Sequence, residues 1–252
     1  MCLILFAWDA HPDYKLVVAA NRDEFFERAS LPMHWWQDRP VLGGRDLTAG
    51  GSWMTLSASG RFGAVTNVRD VTRDETAPRS RGEIPVAFSA GSSAPDAFVK
   101  GLPADEYAGY NVVVTDIDAM WWGNNHAAET APVEPGVHAV SNAALDTPWP
   151  KVVEGKRRFS GVLASGAETE GFFAVLADTD VAQDDLLPDT GAGLELERLL
   201  SSAFISSPDY GTNAATVLRV GRDGSYDVEE RRFLRGEETG RVAFAGRFDL
   251  ST

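Results

Sequence analysis

The chain has 252 residues, 44% apolar and 24% charged, a globular mix that excludes disorder and fibrous architecture over most of its length. Twenty-three basic and 37 acidic side chains give a formal charge of -14, and a surface this acidic argues against nucleic-acid and anionic-membrane partners. The length fits one large domain, and residues 1–252 are read as a single unit.

Cys2 to Trp8 is a continuous apolar run, read as a buried strand that turns at His11-Pro12-Asp13. Leu16 to Ala20 returns as its hairpin partner, and the polar Asn21-Arg22-Asp23-Glu24 is expected to end that strand. Met54 to Ala58 and Phe62 to Thr66 flank Ser59-Gly60-Arg61 and predict a second hairpin. Short helices are expected over Arg81 to Phe88 and Pro95 to Lys100. Tyr110 to Thr115 and Ala119 to Trp122 make a third hairpin, and Val137 to Val140 a strand that ends at Ser141-Asn142.

Pro150 suits the first turn of a helix, followed by an apolar stripe through Val152, Phe159 and Leu163. Phe172 to Leu176 and Leu194 to Leu200 suggest two more helices, with an exposed loop over Ala182 to Gly193. Ala214 to Val220 and Tyr226 to Phe233 form a last hairpin, and Arg241 to Phe244 adds a strand. Hairpins dominate and no strand–helix–strand alternation appears, so the sheets should be antiparallel.

The standard site signatures are missing. There is no phosphate-binding Gly-Lys loop and no dinucleotide fingerprint. The four histidines lack metal-ligand spacing, so no metal site and no cofactor are expected. Gly43-Gly44 and Gly50-Gly51 read as turns around Arg45-Asp46. His138 and the paired tryptophans Trp35-Trp36 and Trp121-Trp122 read as structural. The first apolar run is too short to span a bilayer and lacks a basic flank, so a cytosolic protein is expected.

Cys2 is the lone cysteine, which rules out an intramolecular disulfide. Cysteine is small enough for methionine aminopeptidase to remove Met1. The mature chain would then carry a thiol and a free α-amine on one residue. That amine titrates near pH 8, at about 7.7–8.0, and can serve the thiol as a built-in general base. Such a thiol is expected to alkylate at neutral pH faster than a free one. The alternative is a small buried hydrophobe that opens a strand.

Met1-Cys-Leu-Ile-Leu5 with Asn21-Arg-Asp-Glu24 resembles the NRDE family, also called the transport and Golgi organisation family. Gly43-Gly-Arg-Asp46, Gly50-Gly-Ser-Trp53, Thr66-Asn-Val-Arg69, Val140-Ser-Asn142, Trp149-Pro-Lys-Val152 and Tyr210-Gly-Thr212 extend the likeness over most of the chain. That family resembles the N-terminal nucleophile hydrolases, particularly choloylglycine hydrolases and penicillin V acylases. The resemblance implies an αββα sandwich of two antiparallel sheets, α+β in class.

It also implies a cysteine-dependent hydrolase of a linear amide or related acyl compound. Cys2 would be the nucleophile, Asp23 with Arg22 would steady it, and Asn142 would help hold the oxyanion. Asn21, Asn67 and Trp53 are the expected substrate contacts. The acylase pattern has its Arg where this chain has Ala20, so that role falls to neighbouring Arg22. Many family members carry Arg after Tyr-Gly-Thr, where this chain has Asn213. The rival implication is a non-catalytic carrier of haem, lipid or acyl-CoA on the same fold. For Arg22 and Asp23 the plain alternative is a surface ion pair, and for Asn142 a turn after its strand.

The four lysines, Lys15, Lys100, Lys151 and Lys156, leave 19 arginines. A lysine-poor acidic surface fits a high-salt cytoplasm; a GC-rich genome is the alternative origin. Screening decides between them, since the Debye length shrinks from about 30 Å at 0.01 M to about 3 Å at 1 M. The thermal midpoint is expected to rise steeply with KCl, and equal midpoints at low and molar salt would favour the genomic origin.

Overall fold

The computed structural model describes residues 2–71 and 76–249. Among these residues, thirteen strands form two antiparallel sheets. The first sheet uses β1 (Cys2–Trp8), β2 (Tyr14–Phe25), β10 (Gly136–Val140), β11 (Tyr210–Gly221), β12 (Ser225–Leu234) and β13 (Glu237–Arg247). They run in the order β10-β1-β2-β11-β12-β13. The second sheet uses β3 (Ser30–Trp35), β4 (Val41–Asp46), β5 (Met54–Ser57), β6 (Phe62–Asn67), β7 (Tyr110–Thr115), β8 (Met120–Asn124) and β9 (Glu129–Pro132), in chain order.

Side-chain alternation along β1 sorts the core. Ile4, Phe6 and Trp8 join Leu16, Val18, Leu56 and Phe62 between the sheets. Leu3, Leu5 and Ala7 point the other way, against α3 (Pro150–Ala164) and α4 (Thr169–Leu176). On the far face of the second sheet, Val65, Val112 and Val114 pack with Ile84 and Phe88 of α1 (Glu83–Ala90) and Val99 of α2 (Pro95–Lys100). The layers are therefore helix, sheet, sheet, helix. Burial on both faces explains why β1 is an unbroken apolar run.

Several boundaries differ from the sequence reading. β2 does not stop before Asn21 but continues to Phe25, because β11 pairs alongside it as far as Tyr210↔Phe25 and supplies its backbone partners. The helix expected from Arg81 starts at Glu83, and that expected from Phe172 starts at Thr169. Gly43 and Gly44 lie inside β4 rather than in a turn.

Those glycines serve close approach. A Cβ on Gly44 would stand 2.1 Å from the Trp53 indole, so only hydrogen lets the ring lie flat there. Gly44→Ala is expected to lower unfolding stability by about 1–3 kcal/mol through overpacking, read from denaturant midpoints. An unchanged midpoint would mean that the Trp53 ring is free to move.

Candidate active site

The β1–β2 ladder sets Cys2 directly opposite Arg22. Opposed residues on neighbouring strands share a face, so both side chains point between the sheets. Arg22 is only 5% exposed, and its guanidinium lies 4.6 Å from the centre of the Trp53 ring. Its nearest carboxylates, Asp46 and Glu24, stand 3.7 and 3.8 Å from Nη2, while Nη1 is buried without a hydrogen-bond partner. Leaving such a donor unmet costs about 1–3 kcal/mol. Asp46 is engaged elsewhere: its Oδ2 accepts from Arg28 Nε at 2.6 Å, and its Oδ1 from the Thr48 and Ala49 amides.

Asp23 turns toward the helical layer and is 1% exposed. Thr212 Oγ1 donates to its Oδ1 at 2.6 Å, and the Tyr210 hydroxyl donates to its carbonyl at 3.1 Å. The Asp23 amide reaches back to the Cys2 thiol. A bulge in β11 makes this possible. Thr212 pairs with Asp23 and Ala214 with Arg22, which leaves Asn213 as the extra residue.

The opposite wall comes from the ends of β6 and β10. Ser141 Oγ lies 3.0 Å from the Cys2 carbonyl, which it can pin, and 3.1 Å from Asn142 Oδ1. Asn142 Nδ2 donates to the Asn67 side-chain oxygen at 2.9 Å and to its carbonyl at 3.1 Å. Asn142 is fully buried, whereas Asn67 lines a cavity of about 350 Å³ together with Cys2, Arg22, Asp23, Trp53 and Thr66. With its oxygen held by Asn142, Asn67 keeps its Nδ2 without an acceptor among the described residues.

Burial is the largest influence on the thiol. Burial pushes Cys2 up from its ordinary value, helped by the Asp23 charge and opposed by the Asp23 amide and the Arg22 charge. Burial also raises the Asp23 carboxyl, opposed by Lys151, Thr212 and Arg22. Lys151 stands in the first turn of α3, buried, and its Nζ has no hydrogen-bond partner among the described residues. Burial lowers its amine to about 8, although the acidic Asp23 and Cys2 oppose the shift.

The seven expected residues divide accordingly. Cys2, Arg22, Asp23, Asn67 and Trp53 line one cavity. Asn142 sits one step behind, bonded to Asn67. Asn21 does not line that cavity: it faces the helical layer, where its Nδ2 donates to the Leu176 and Ala203 carbonyls at 2.8 Å. Arg22 and Asp23 are not a surface ion pair, since both are buried and alternate strand residues point apart. Asp46 does organise a turn, through Thr48 and Ala49, and also engages Arg28.

Lys151, Thr212 and Asp46 carry no site role in the sequence reading. Thr212 and Lys151 lie inside blocks that bear the family resemblance, which was the available signal. Met1, whose removal would free the Cys2 amine, lies outside the described residues. No group of three or more His, Cys, Asp or Glu among the described residues could hold a metal ion. No helix there is long and apolar enough to cross a membrane.

The layered fold is that of the N-terminal nucleophile hydrolases. A mutant (C2A) conjugated bile acid hydrolase from Clostridium perfringens superposes with a TM-score of 0.57 at 10% identity, over 97% of this chain and 92% of that one. Residues 1–235 match the family described as Transport and Golgi organisation 2, and the chain belongs to it. It is 32% identical to the Transport and Golgi organization protein 2 homolog of Bos taurus over 95% of both chains. The Homo sapiens homolog is 29% identical over 93% of this chain and 94% of that one.

A thiol raised by burial alkylates slowly unless a neighbouring base takes its proton. Chain retaining Met1 should therefore react with iodoacetamide at pH 7 more slowly than a free thiol of pKa about 8.5. Chain beginning at Cys2 should react faster, through its own amine. Equal rates for the two forms would remove the α-amine from the chemistry.

Proposed function

We propose that the chain is a hydrolase of the N-terminal nucleophile type, which uses Cys2 to cleave a linear amide or related acyl compound. The observation that carries this reading is the position of Cys2. Its carbonyl is within reach of Ser141, its thiol is met by the Asp23 amide, and its cavity also contains Asn67.

With Met1 removed, the Cys2 amine takes the thiol proton. The thiolate attacks the substrate carbonyl carbon, and Asn67 Nδ2 donates to the developing oxyanion while Asn142 holds the Asn67 oxygen. Collapse breaks the C–N bond, and the leaving nitrogen takes the proton from the Cys2 ammonium. Water, deprotonated by the same amine, then attacks the thioester and releases the acid and the thiol. Asp23 orients the Cys2 end through its amide. A single thiol of this kind fits a reducing cytosol.

The upward push on the thiol favours a second reading, a carrier that binds haem, lipid or acyl-CoA without bond cleavage. One experiment separates the two. Under the hydrolase reading, intact mass gives a chain lacking Met1, and Cys2→Ala abolishes turnover of acyl amides while leaving ligand affinity nearly unchanged. Asn67→Ala then costs about 10²–10³ in kcat. Retained Met1, with no turnover across an amide and thioester panel and equal binding with and without Cys2, would leave the carrier.

A further inference from the structure

The edge of a sheet exposes a row of backbone donors and acceptors that can pair with another strand. Among the described residues the two sheets end in four edges, and three of them are blunted. β3 and β9 carry Pro32 and Pro132, and β10 has only 5 residues. The fourth, β13, is 11 residues long, contains no proline and has no outer neighbour among the described residues.

The inner bonds of β13 define what its outer side offers. The Phe248 amide donates to the Gly224 carbonyl at 2.9 Å, which continues the β12–β13 ladder one pair beyond Ser225↔Arg247. Bonding alternates along an antiparallel pair, so Val242, Phe244 and Gly246 bond inward to β12. The amides and carbonyls of Arg241, Ala243, Ala245 and Arg247 therefore face outward. The side chains on this edge leave room for a neighbour. Ala243 and Ala245 are small and exposed, and a Cβ on Gly240 would meet nothing within 4 Å. Val242 and Phe244 turn toward the core between the sheets but stay half-buried at its rim.

We propose that β13 pairs antiparallel with β13 of a second copy of this chain, about a two-fold axis at Val242, to make one continuous sheet across the two molecules. In that register Arg241 and Ala243 of each copy exchange backbone bonds with Ala243 and Arg241 of the other. Directly opposed residues share a face, so Val242 meets Val242 and Phe244 covers the open space at Gly240. Charge selects this register over its neighbours. Moving the axis to Arg241 would set Arg241 against Arg241, and moving it to Ala243 would set Glu237 against Asp249. With the axis at Val242, Glu237 faces Arg247. Glu237 has no ion pair among the described residues. Arg247 is 62% exposed; its Nη groups go to Asp223, which leaves Nε for the carboxylate of the other copy. A bulge between Glu238 and Gly240 bends the strand ahead of Glu237, so this contact is made by side-chain reach at the end of the ladder.

Sedimentation velocity tests the pairing in about 0.5 M KCl. There the Debye length, between about 3 and 8 Å, screens the net charges of -14 without silencing side chains in contact. One strand pair is a small interface, so a micromolar dimer is expected, with its fraction rising between about 1 and 200 µM protein. Ala243→Pro removes an outward amide that β12 does not use. It should weaken the dimer at least about ten-fold while the circular dichroism stays that of the unaltered chain. Glu237→Arg sets Arg against Arg247 and should weaken the dimer about five-fold; adding Arg247→Glu should restore most of the loss. These exposed charge variants decide the matter if the proline variant fails to fold. A monomer at every concentration overturns the pairing. So does a dimer indifferent to a folded Ala243→Pro or to Glu237→Arg, or one that the second charge reversal does not restore.

Discussion

The two-residue period of β2 is the constraint on which the site depends. A strand buried on both faces must send successive side chains into different layers. Arg22 therefore enters the space between the sheets with Cys2, while Asn21 and Asp23 enter the space beneath α4 and beside Lys151. One polar tetrapeptide thus serves both sides of a sheet. A shift of one residue in the β1–β2 register would exchange the two sets and leave the thiol opposite a residue of the wrong face. The long β11 pairing helps fix the register, and the bulge at Asn213 lets Thr212 meet Asp23 without disturbing Ala214 against Arg22.

Buried polar groups are costly, and their distribution is uneven. The core between the sheets is apolar around Phe6, Val18, Leu56 and Phe62. Unmet polar atoms include Asn21 Oδ1, Arg22 Nη1, Lys151 Nζ and Asn213 Oδ1, in the tetrapeptide, the bulge beside it and the helix turn behind Asp23, and also Arg69 Nε after β6 and Glu230 Oε2 and Arg232 Nη1 on β12. Such groups are rare in folded proteins, and each needs a reason. Nearby, the Arg69–Glu197 pair is buried on both partners at 2.7 Å, stacked on Trp149 at 4.5 Å. A buried pair of this kind adds little net stability, because desolvation offsets attraction. It joins the segment after β6, whose Arg69 amide donates to the Asn142 carbonyl, to the helix Leu194–Leu199. Its contribution is thus positional: it helps set the wall that holds Asn67.

Much of the layered fold was legible in the sequence, because hairpins with strong apolar runs leave a pattern of period two. The strands that escaped detection have particular reasons. β3 and β9 are the two edges of the second sheet, and each contains a proline, Pro32 and Pro132, which an edge tolerates and a sequence reading discounts. β4 was hidden by Gly43-Gly44, which resembles a turn but lies flat to admit the Trp53 ring. Cys2, Asp23 and Asn67 could be singled out because chemistry and family pattern coincide there. The inward turn of Asn21 could not, since the polar tetrapeptide looked like a strand's end rather than its continuation. Nor could the retreat of Asn142 behind Asn67, which depends on the pairing of loops 75 residues apart.

The departure at Asn213 acquires a physical meaning from this geometry. An amide at the bulge brings no charge and no guanidinium fork to Asp23. The positive charge that acts on Asp23 from the helical layer comes from Lys151 instead, and it opposes burial more strongly than Arg22 does. The two cations are different in kind. A guanidinium keeps its charge at every physiological pH, whereas the buried Lys151 amine, lowered to about 8, gives up its proton not far above neutrality. The Asp23 carboxyl is therefore supported on one face by a permanent charge and on the other by a titratable one. With an uncharged Asn213 at the bulge, the field that reaches Asp23 from the helical layer rests on Lys151 and so responds to pH.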